Sequence, residues 1–371
     1  MEKRKCLAFI LCLTLCYSLF QLTARAQSPS HSISSQGNIT YGSGPSSPPS
    51  ERLLGTDMMY WFGDTDLSAL IDLAKSVGID YWRQHVICGD TDWWLNQMLT
   101  VKQLLDQRGI KLIVGGMGYD GWDTTFISAF PSKREGCAAL IMNTDGWGDK
   151  WIERYGRMVE VLQPWAINVV NEMFDKTGTP YQYTMTDAQY LEYYRQFCIR
   201  AIDAWRAIKP DLVCIISGCP FSDNRPIANN PIPRPNLVYS FHYYYLRTGE
   251  LRSNPAAWEV AYYEGRLSEA KSLLHDFLMN GKGALSTLKA KGLPILFEEF
   301  GTWAEERYNN YQFIRDAWEI CAENDVGIGQ FCFARFGTGT PHQSWWGLLT
   351  SDWKQLNSYG QVWASCMARY E

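Results

Sequence analysis

The strongest constraint on the fold is a repeated alternation of apolar, strand-like runs with stretches whose apolar residues recur at helical spacing. Strands joined by helices pair in parallel, because each helix carries the chain back to the edge where the previous strand began. Eight such units in roughly 320 residues suit one closed barrel. We therefore predict an α/β chain that forms a single (β/α)8 (TIM) barrel with loop insertions. The predicted strands span 52–62, 79–86, 110–122, 166–172, 211–221, 236–245, 293–300 and 328–337.

Helical stretches lie between most of these strands. Thr186 precedes the longest of them and is a good N-terminal cap, since its hydroxyl can accept a hydrogen bond from a free backbone N–H. A loop that contains Cys137 is expected before residue 148. A long insertion, 246–292, contains two helical stretches and could narrow or cover a groove at the barrel mouth. The other predicted helices span 66–78, 92–109, 148–164, 186–210, 308–327 and 356–370.

The N-terminal part has a different character. Residues 1–26 fit a secretory signal peptide, with a basic start at 3–5, an apolar run and a small-residue cleavage site at 24–26. The apolar run of about 15 residues is shorter than the ~20 that a spanning helix needs, although an uncleaved segment would tether the protein. Residues 27–50 are rich in Ser, Pro and Gly and predict a linker or disordered arm. Residues 51–371 are expected to form one domain. We predict a secreted, extracellular protein with no stable membrane association after cleavage.

Composition narrows the class of partner. The net charge is −5, and it falls to −8 without residues 1–26, which hold four basic residues and one acidic residue. No Lys/Arg run follows, so nucleic acid is a poor partner. Aromatic residues make up 14% of the chain, with 16 Trp and 21 Tyr. They could fill the core or stack on sugar rings. No CxxC or HExxH spacing occurs, so neither a metal nor an organic cofactor is expected. We expect a monomer.

Eight cysteines remain after residue 26, and their pairing is open. Cys214 and Cys332 fall inside predicted strands and are expected to be plain core residues. Cys88 and Cys137 both follow predicted strands and could form a disulfide in an exported protein.

Two predicted strands end in glutamate. The fourth runs into Glu172, and the seventh runs into Glu298 and Glu299. Parallel barrel strands present their carboxyl ends at one mouth, so Glu172 and Glu299 should face each other there. A pair of carboxyl groups cleaves glycosidic bonds: one protonates the leaving oxygen, and the other attacks the anomeric carbon or activates water. A single strand-end glutamate is more often merely solvated or salt-bridged.

Polar residues at the other strand ends strengthen the pair. The amide of Asn171 could bind a sugar hydroxyl, and Arg83 could keep a carboxylate ionised through two parallel hydrogen bonds. His242 and Tyr244 are one residue apart in the sixth strand and should point the same way. Either could instead be ordinary packing. Glu298 should point to the opposite strand face from its neighbour, which makes it the second choice if the register slips.

This set of residues resembles glycoside hydrolase family five, the cellulase and mannanase family of retaining (β/α)8 barrels, over nearly all of 51–371. The matching residues are Arg83, Asn171, Glu172, His242, Tyr244 and Glu299. The resemblance implies that 51–371 is a catalytic domain, that Glu172 is the general acid/base, and that Glu299 is the nucleophile. It implies a secreted endo-β-1,4-glucanase acting on polysaccharide by double displacement, with no cofactor. An endo-β-1,4-mannanase, another β-glycosidase of the same clan and a non-catalytic carbohydrate-binding barrel remain as alternatives.

The implied mechanism sets geometric expectations. Glu172 must hold a proton at the start, and Glu299 must be ionised with the help of Arg83 and Tyr244. The two carboxyl groups of a retaining enzyme should lie ~5–5.5 Å apart. The chain departs from the family at two positions, with Met117 where a His is usual and Phe331 where a Trp is usual. Aromatic residues near strand exits that could stack on sugars are Trp61, Trp93, Trp94, Trp122, Trp147, Trp303, Trp345 and Trp346.

Overall fold

The computed structural model describes residues 53–58, 66–86, 91–115, 130–246, 251–333, 347–350 and 352–370. Every described residue belongs to one compact unit, Pro45–Glu371. The predicted signal peptide and linker, 1–50, therefore lie outside the described residues.

Eight parallel strands close into a barrel in chain order, with β1 paired to both β2 and β8. Described helices lie between most of the strands and follow the last one. The predicted (β/α)8 barrel is thus confirmed. The strands are β1 Leu54–Met58, β2 Tyr81–His85, β3 Lys111–Gly115, β4 Ala166–Asn168, β5 Val213–Ser217, β6 Leu237–Tyr244, β7 Ile295–Gly301 and β8 Gly327–Gln330.

The helices follow the predicted order with three corrections. A short helix, Arg225–Asn229, lies between β5 and β6, where none was predicted. A helix occupies the stretch around Cys137 that was predicted as a loop, and the described part of 246–292 holds three helices instead of two. The helices are α1 Leu67–Ser76, α2 Asp92–Gln107, α3 Lys133–Met142, α4 Trp147–Leu162, α5 Asp187–Ile208, α6 Arg225–Asn229, α7 Ala257–Tyr263, α8 Leu267–Met279, α9 Leu285–Ala290, α10 Asn310–Glu323 and α11 Ser358–Tyr370.

Side-chain caps explain where several helices begin. The Thr186 hydroxyl accepts from the Gln189 backbone N–H, and the Gln189 side chain accepts from the Thr186 backbone N–H. This reciprocal arrangement satisfies two N–H groups that a helix start leaves open, and it confirms the predicted cap. Ser132 caps α3 in a similar way by accepting from the Glu135 N–H at 3.2 Å. That cap is the local signal that the loop prediction around Cys137 missed.

The barrel interior changes from apolar to polar along the strands. Alternation places Tyr81, Arg83 and His85 of β2 on one face, and the first of these belongs to an apolar cluster inside the barrel. Polar side chains therefore follow apolar ones toward the carboxyl ends of the strands, where the site lies. The other members of the cluster are Leu53, Ile113, Ala166, Val213, Ile215, Val238 and Leu296.

The cysteine predictions have mixed outcomes. Cys214 and Cys332 are fully buried, as predicted for core residues. Cys137 is a free thiol, and its proposed partner Cys88 lies outside the described residues. Within the described ranges, no helix has the length and apolar character needed to cross a membrane.

Candidate active site

The carboxyl ends of β2, β4, β6 and β7 converge on one cluster of polar side chains at the barrel mouth. Hydrogen bonds and ion pairs connect all members of this cluster directly or through a shared neighbour. The residues predicted from sequence that the structure brings together here are Arg83, Asn171, Glu172, His242, Tyr244 and Glu299.

A bulge in β7 turns two consecutive glutamates toward the interior. The register against β6 shifts just before His242, which pairs with Glu299 and leaves Glu298 as an extra residue. Alternation from Leu296, which faces the interior, already places Glu298 inside, and the bulge then brings Glu299 to the same side. The prediction that Glu298 points to the opposite face is therefore wrong, because a regular strand was assumed.

Arg83 contacts both β7 carboxylates and the amides of Asn168 and Asn171. Its guanidinium is fully buried and lies 3.1 Å from Glu298 Oε1 through Nε and 2.8 Å from Glu299 Oε1 through Nη1. Nη2 donates to Asn171 Oδ1 at 2.8 Å. The planar fork of donors fixes several partners at once. This arrangement leaves the Asn171 NH2 group free of the guanidinium and able to donate to a substrate hydroxyl.

Two further residues belong to the cluster and were missed from sequence. Asn168 accepts from Arg83 Nε at 2.8 Å and donates to both Glu298 oxygens, at 2.8 and 3.0 Å. His85 Nε2 lies 2.8 Å from Arg83 Nη1 and 3.7 Å from Glu299 Oε1. The sequence contains an indication of each. Asn168 is a lone polar residue in an apolar run, and His85 lies on the same strand face as Arg83.

His242 contacts three carboxylates. Its Nδ1 lies 3.0 Å from Glu172 Oε1 and 3.3 Å from Glu299 Oε2, and its Nε2 lies 3.2 Å from Glu298 Oε2. Burial by itself lowers the pKa of this imidazole, but the surrounding carboxylates outweigh it and raise the pKa to about 9. His242 is therefore positively charged at neutral pH.

The surroundings of Glu299 keep it ionised. Burial alone would raise the pKa of this carboxyl, but the charges of His242 and Arg83 hold the pKa well below the usual range. The Tyr244 hydroxyl donates to Glu299 Oε2 at 2.5 Å and acts in the same direction. The pKa of Glu298 is lowered against its burial too, first by Arg83 and then by His242. Both β7 carboxylates are thus anions.

Glu172 sits on a turn beyond β4. The predicted strand ran to residue 172, but the ladder ends at Asn168, so that prediction is wrong by four residues. Glu172 has φ of 39°, in the left-handed region that side chains other than glycine rarely adopt. Such backbone strain concentrates at functional sites. The Glu172 side chain is 20% exposed, against 5% for Glu299, so it is the carboxyl more open to solvent.

The two catalytic candidates lie close together. One carboxylate oxygen of Glu172, one of Glu299 and one ring nitrogen of His242 all fall within 4.8 Å of one another. Two carboxylates and an imidazole are groups that can bind a divalent ion. The proton on His242 opposes this, since a metal ligand nitrogen must be neutral. With that proton in place, the three groups form a carboxyl pair with a charged imidazole between them.

Phe331 occupies the position where the family resemblance expects Trp, and it does contact the site. Its ring lies edge-on to His85 at 6.0 Å and to Tyr244 at 5.7 Å, measured between ring centroids. Burial, and then the Arg83 charge, lower the pKa of His85 to about 3, so this imidazole is neutral. Met117, the other departure, lies outside the described residues.

The tryptophans predicted to stack on sugar rings differ in their exposure to solvent. Stacking on a sugar needs an open ring face, but Trp303 is 8% exposed and the Arg307 guanidinium lies 5.2 Å from the centroid of its ring. The reason is a fold-back of the next turn, in which Asn310 donates to the Trp303 carbonyl at 2.8 Å. Trp93 is 52% exposed, whereas Trp94 is buried. The predicted platforms Trp61, Trp122, Trp345 and Trp346 lie outside the described residues.

A comparison with protein-family models matches residues 48–334 to Cellulase (glycosyl hydrolase family 5). This range spans the barrel from β1 to β8 and includes every cluster residue described above. A comparison with curated proteins finds no match.

Solved structures with the same fold share little sequence with this chain. Thermotoga maritima Cel5A in complex with a mannotriose substrate is 14% identical, with a TM-score of 0.56 over 85% of this chain and 97% of that one. The same protein in complex with cellobiose is 13% identical, with a TM-score of 0.55 over 85% and 97%. A broad-specificity endoglucanase from Clostridium longisporum is 12% identical, with a TM-score of 0.58 over 86% and 97%.

Proposed function

Because the chain belongs to the Cellulase family, glycosyl hydrolase family 5, and is a glycoside hydrolase, we propose that it is a retaining endo-β-1,4-glucanase that works by double displacement. Glu172 is the general acid/base and Glu299 is the nucleophile. The substrate is a polysaccharide of β-1,4-linked glucose, and no cofactor takes part.

The observation that carries this proposal is the closeness of the two carboxyl groups, whose nearest oxygens fall within 4.8 Å. Retaining enzymes hold their carboxyl groups about 5–5.5 Å apart so that one can attack the sugar directly. Inverting enzymes leave about 6.5–9.5 Å to admit a water molecule between carboxyl and sugar. A separation below 4.8 Å between an oxygen of Glu172 and one of Glu299 favours direct attack by the carboxylate.

The chemistry proceeds in two steps. Glu172 gives its proton to the glycosidic oxygen while Glu299 attacks the anomeric carbon, which releases the leaving chain and forms a glycosyl ester. Glu172, now a carboxylate, then takes a proton from water, and the water oxygen attacks the same carbon and frees Glu299. The greater exposure of Glu172 suits a group that must exchange a proton with incoming water.

The neighbours of the pair have distinct supporting roles. Arg83 and Tyr244 stabilise the ionised form of Glu299, which must be an anion to attack. Charged His242 lies between the two carboxyl groups and stabilises the negative charge that passes from one to the other as the reaction proceeds. Asn171 is positioned by Arg83 to donate to a sugar hydroxyl at the reacting unit.

Reducing-sugar release tests the proposal. The mature chain, 27–371, would be assayed on carboxymethyl cellulose, barley β-glucan, glucomannan, galactomannan and xylan, beside Glu172→Ala and Glu299→Ala. Activity on the glucans that both substitutions abolish supports the proposal. Activity mainly on mannans would keep the mechanism and replace the substrate, an outcome consistent with the mannotriose complex of Thermotoga maritima Cel5A.

The remaining alternative is a carbohydrate-binding barrel without activity. Glu299→Ala separates it from the enzyme: an enzyme loses nearly all turnover and keeps sugar binding, whereas a binding protein has no turnover to lose. We also propose export through residues 1–26 and a monomeric mature form. The N-terminal sequence of the protein recovered from the medium and its mass in solution test these two points.

A further inference from the structure

A short segment of the 246–292 insertion is fastened to the mouth of the barrel. Asn224, which follows β5 on the carboxyl side, donates its backbone N–H to the Lys282 carbonyl at 3.0 Å. Its side chain donates to the Gly283 carbonyl at 3.3 Å. The insertion is therefore tied to the loops around the active site at Lys282.

Tight packing fixes the backbone of this segment. A Cβ added to Gly281 would lie 2.4 Å from the Phe277 carbonyl oxygen, and one added to Gly283 would lie 2.6 Å from the Leu278 carbonyl oxygen. Only glycine allows such close approach to the end of α8. The position from which the Lys282 side chain starts is thus set by the fold.

The Lys282 ammonium points toward β6. It lies 5.6 Å from the centroid of the Tyr243 ring. The Arg252 guanidinium lies 4.8 Å from the same ring, but it also pairs with Glu259 at 3.1 Å and donates to the Tyr244 carbonyl at 2.9 Å. Lys282 has no hydrogen bond or ion pair with a side chain in the described parts of the chain. Its three N–H donors can therefore bind an acceptor on a substrate.

The ammonium lies in the electric field of the catalytic carboxyl groups. Burial lowers the pKa of Lys282, and the negative charges of Glu172, Asp223 and Glu299 act against that effect, with Glu172 the strongest of the three. A half-buried ammonium without an acceptor is costly. Of these three groups, Glu172 is the proposed acid/base, so the Lys282 charge acts most strongly on the group that protonates the leaving oxygen.

A count of charges shows what would complete the site. The two β7 carboxylates are balanced by Arg83 and by protonated His242. Asp223 pairs with Arg225, and Glu172 is uncharged when it is ready to act as an acid, so neither group matches the Lys282 charge at that stage. A neutral sugar laid over Lys282 would desolvate it further, whereas a carboxylate on the sugar would pair with it.

We propose that Lys282 is a specificity-determining residue that binds the carboxylate of a uronic acid unit at the mouth of the barrel. The inference rests on the proposed hydrolase function and names a substrate class for the same site. The preferred substrates are then β-1,4-glycans that carry acidic sugars in the chain or as side groups.

Matched substrates and variants test this assignment. Two oligosaccharide series of equal length would share the β-1,4 backbone that the enzyme cleaves, one uncharged and one with a unit oxidised at C6 to a uronate. The variants are Lys282→Gln, which removes the charge, and Lys282→Arg, which keeps it. Lys291→Gln is the control, because this exposed lysine follows α9 at the opposite end of the insertion from the mouth.

We expect kcat/KM of the unmodified enzyme to favour the uronate series by about tenfold or more, the worth of one good charge pair. Lys282→Gln should lower this preference about tenfold, while Lys282→Arg and Lys291→Gln should largely keep it. An equal preference in the unmodified enzyme and Lys282→Gln would overturn the proposal. If Lys282→Gln lowers kcat/KM equally for the uncharged and the uronate series, the proposal is overturned too. That result would mean that the role of Lys282 does not depend on the charge of the substrate.

Binding separates a failure of this inference from a failure of the proposed function. If the full-length enzyme cleaves neither series, the hydrolase proposal fails, and titration calorimetry with the uronate oligosaccharide still tests Lys282. Affinity that Lys282→Gln reduces about tenfold supports the inference, and unchanged or absent affinity overturns it. Thermal unfolding of each variant confirms that the fold is intact.

Discussion

Glu298 and Glu299 are consecutive in β7, yet both carboxylates contact the same guanidinium, that of Arg83, at 3.1 and 2.8 Å. A bulge in β7 makes this possible by placing two residues opposite one residue of β6. The deeper carboxylate is fully buried and bonded to Asn168, while the other meets Glu172 at the mouth. The two glutamates therefore have different surroundings: Glu298 anchors the cluster, and Glu299, the proposed nucleophile, lies beside Glu172.

Isosteric amides should separate the two roles. Glu299→Gln removes the attacking anion, so kcat should fall by roughly three orders of magnitude or more while sugar binding persists. Glu298→Gln leaves the nucleophile in place and should retain far more turnover. Steady-state kinetics and titration with an oligosaccharide measure both effects. A variant pair in which Glu298→Gln is the more inactive would reverse the assignment of the nucleophile.

Arg83→Met should destabilise the fold strongly. The substitution leaves two buried carboxylates without their cation, and breaking a buried ion pair in this way costs about 3–5 kcal/mol of unfolding free energy. Arg266→Met is the control, because Arg266 pairs with Glu264 and Glu269 on the surface, where solvent screens the charges. Urea unfolding should show a large loss for the first variant and little change for the second. Equal losses would mean that the buried pairs are not what stabilises the cluster.

Tyr244→Phe should move the pH dependence of catalysis. The hydroxyl donates to Glu299 and favours its ionised form, so its removal raises the pKa of Glu299. The acidic limb of the kcat/KM profile should shift to higher pH, with a fall of about tenfold or more at the optimum. Tyr245→Phe is a matched control, since that hydroxyl donates to the Tyr308 carbonyl and not to the site. An unshifted acidic limb in Tyr244→Phe would contradict the role.

His242 should make stability depend on pH on the alkaline side. Its pKa is raised to about 9 in the folded protein from the ordinary value of 6.5. The folded state therefore binds the proton more tightly, and the stability that this provides is fully present below pH 6.5 and lost as pH rises through about 9. The unfolding free energy should fall by up to about 1.4 kcal/mol per pH unit in that window.

The difference between the unmodified protein and His242→Gln isolates this effect from other groups that titrate in the same range. Denaturant unfolding at a series of pH values between 6 and 10 would measure it. The variant should be less stable near neutral pH and should lack most of the decline. Parallel curves for the two proteins would show that His242 is not charged in the folded state.

Sequence patterns were sufficient for the barrel and for most of the cluster, for a physical reason. Strand alternation with period two and the common direction of parallel strands place Arg83, His242 and Tyr244 at one mouth without any knowledge of packing. The same rule could have identified Asn168 and His85, because their polar side chains lie in otherwise apolar strands. They were missed because a lone polar residue in a strand does not reveal its partner.

Other features depend on geometry that a one-dimensional pattern does not contain. Period two cannot show the β7 bulge, so Glu298 was assigned to the wrong face. Burial of Trp303 depends on Arg307 and Asn310, which fold back over it from the following turn. The Lys282 ammonium comes from an insertion whose attachment to Asn224 is a contact between segments distant in sequence.

The most direct test of the mechanism is to trap the covalent intermediate. A 2-deoxy-2-fluoro cellobioside with a good leaving group slows the second step, so a retaining enzyme accumulates its glycosyl ester. Peptide mapping by mass spectrometry should find the sugar on Glu299 and nowhere else, with stoichiometric loss of activity. A label on Glu298, or no label from an enzyme that still turns over cellulose chains, would contradict the assignment of Glu299 as the nucleophile.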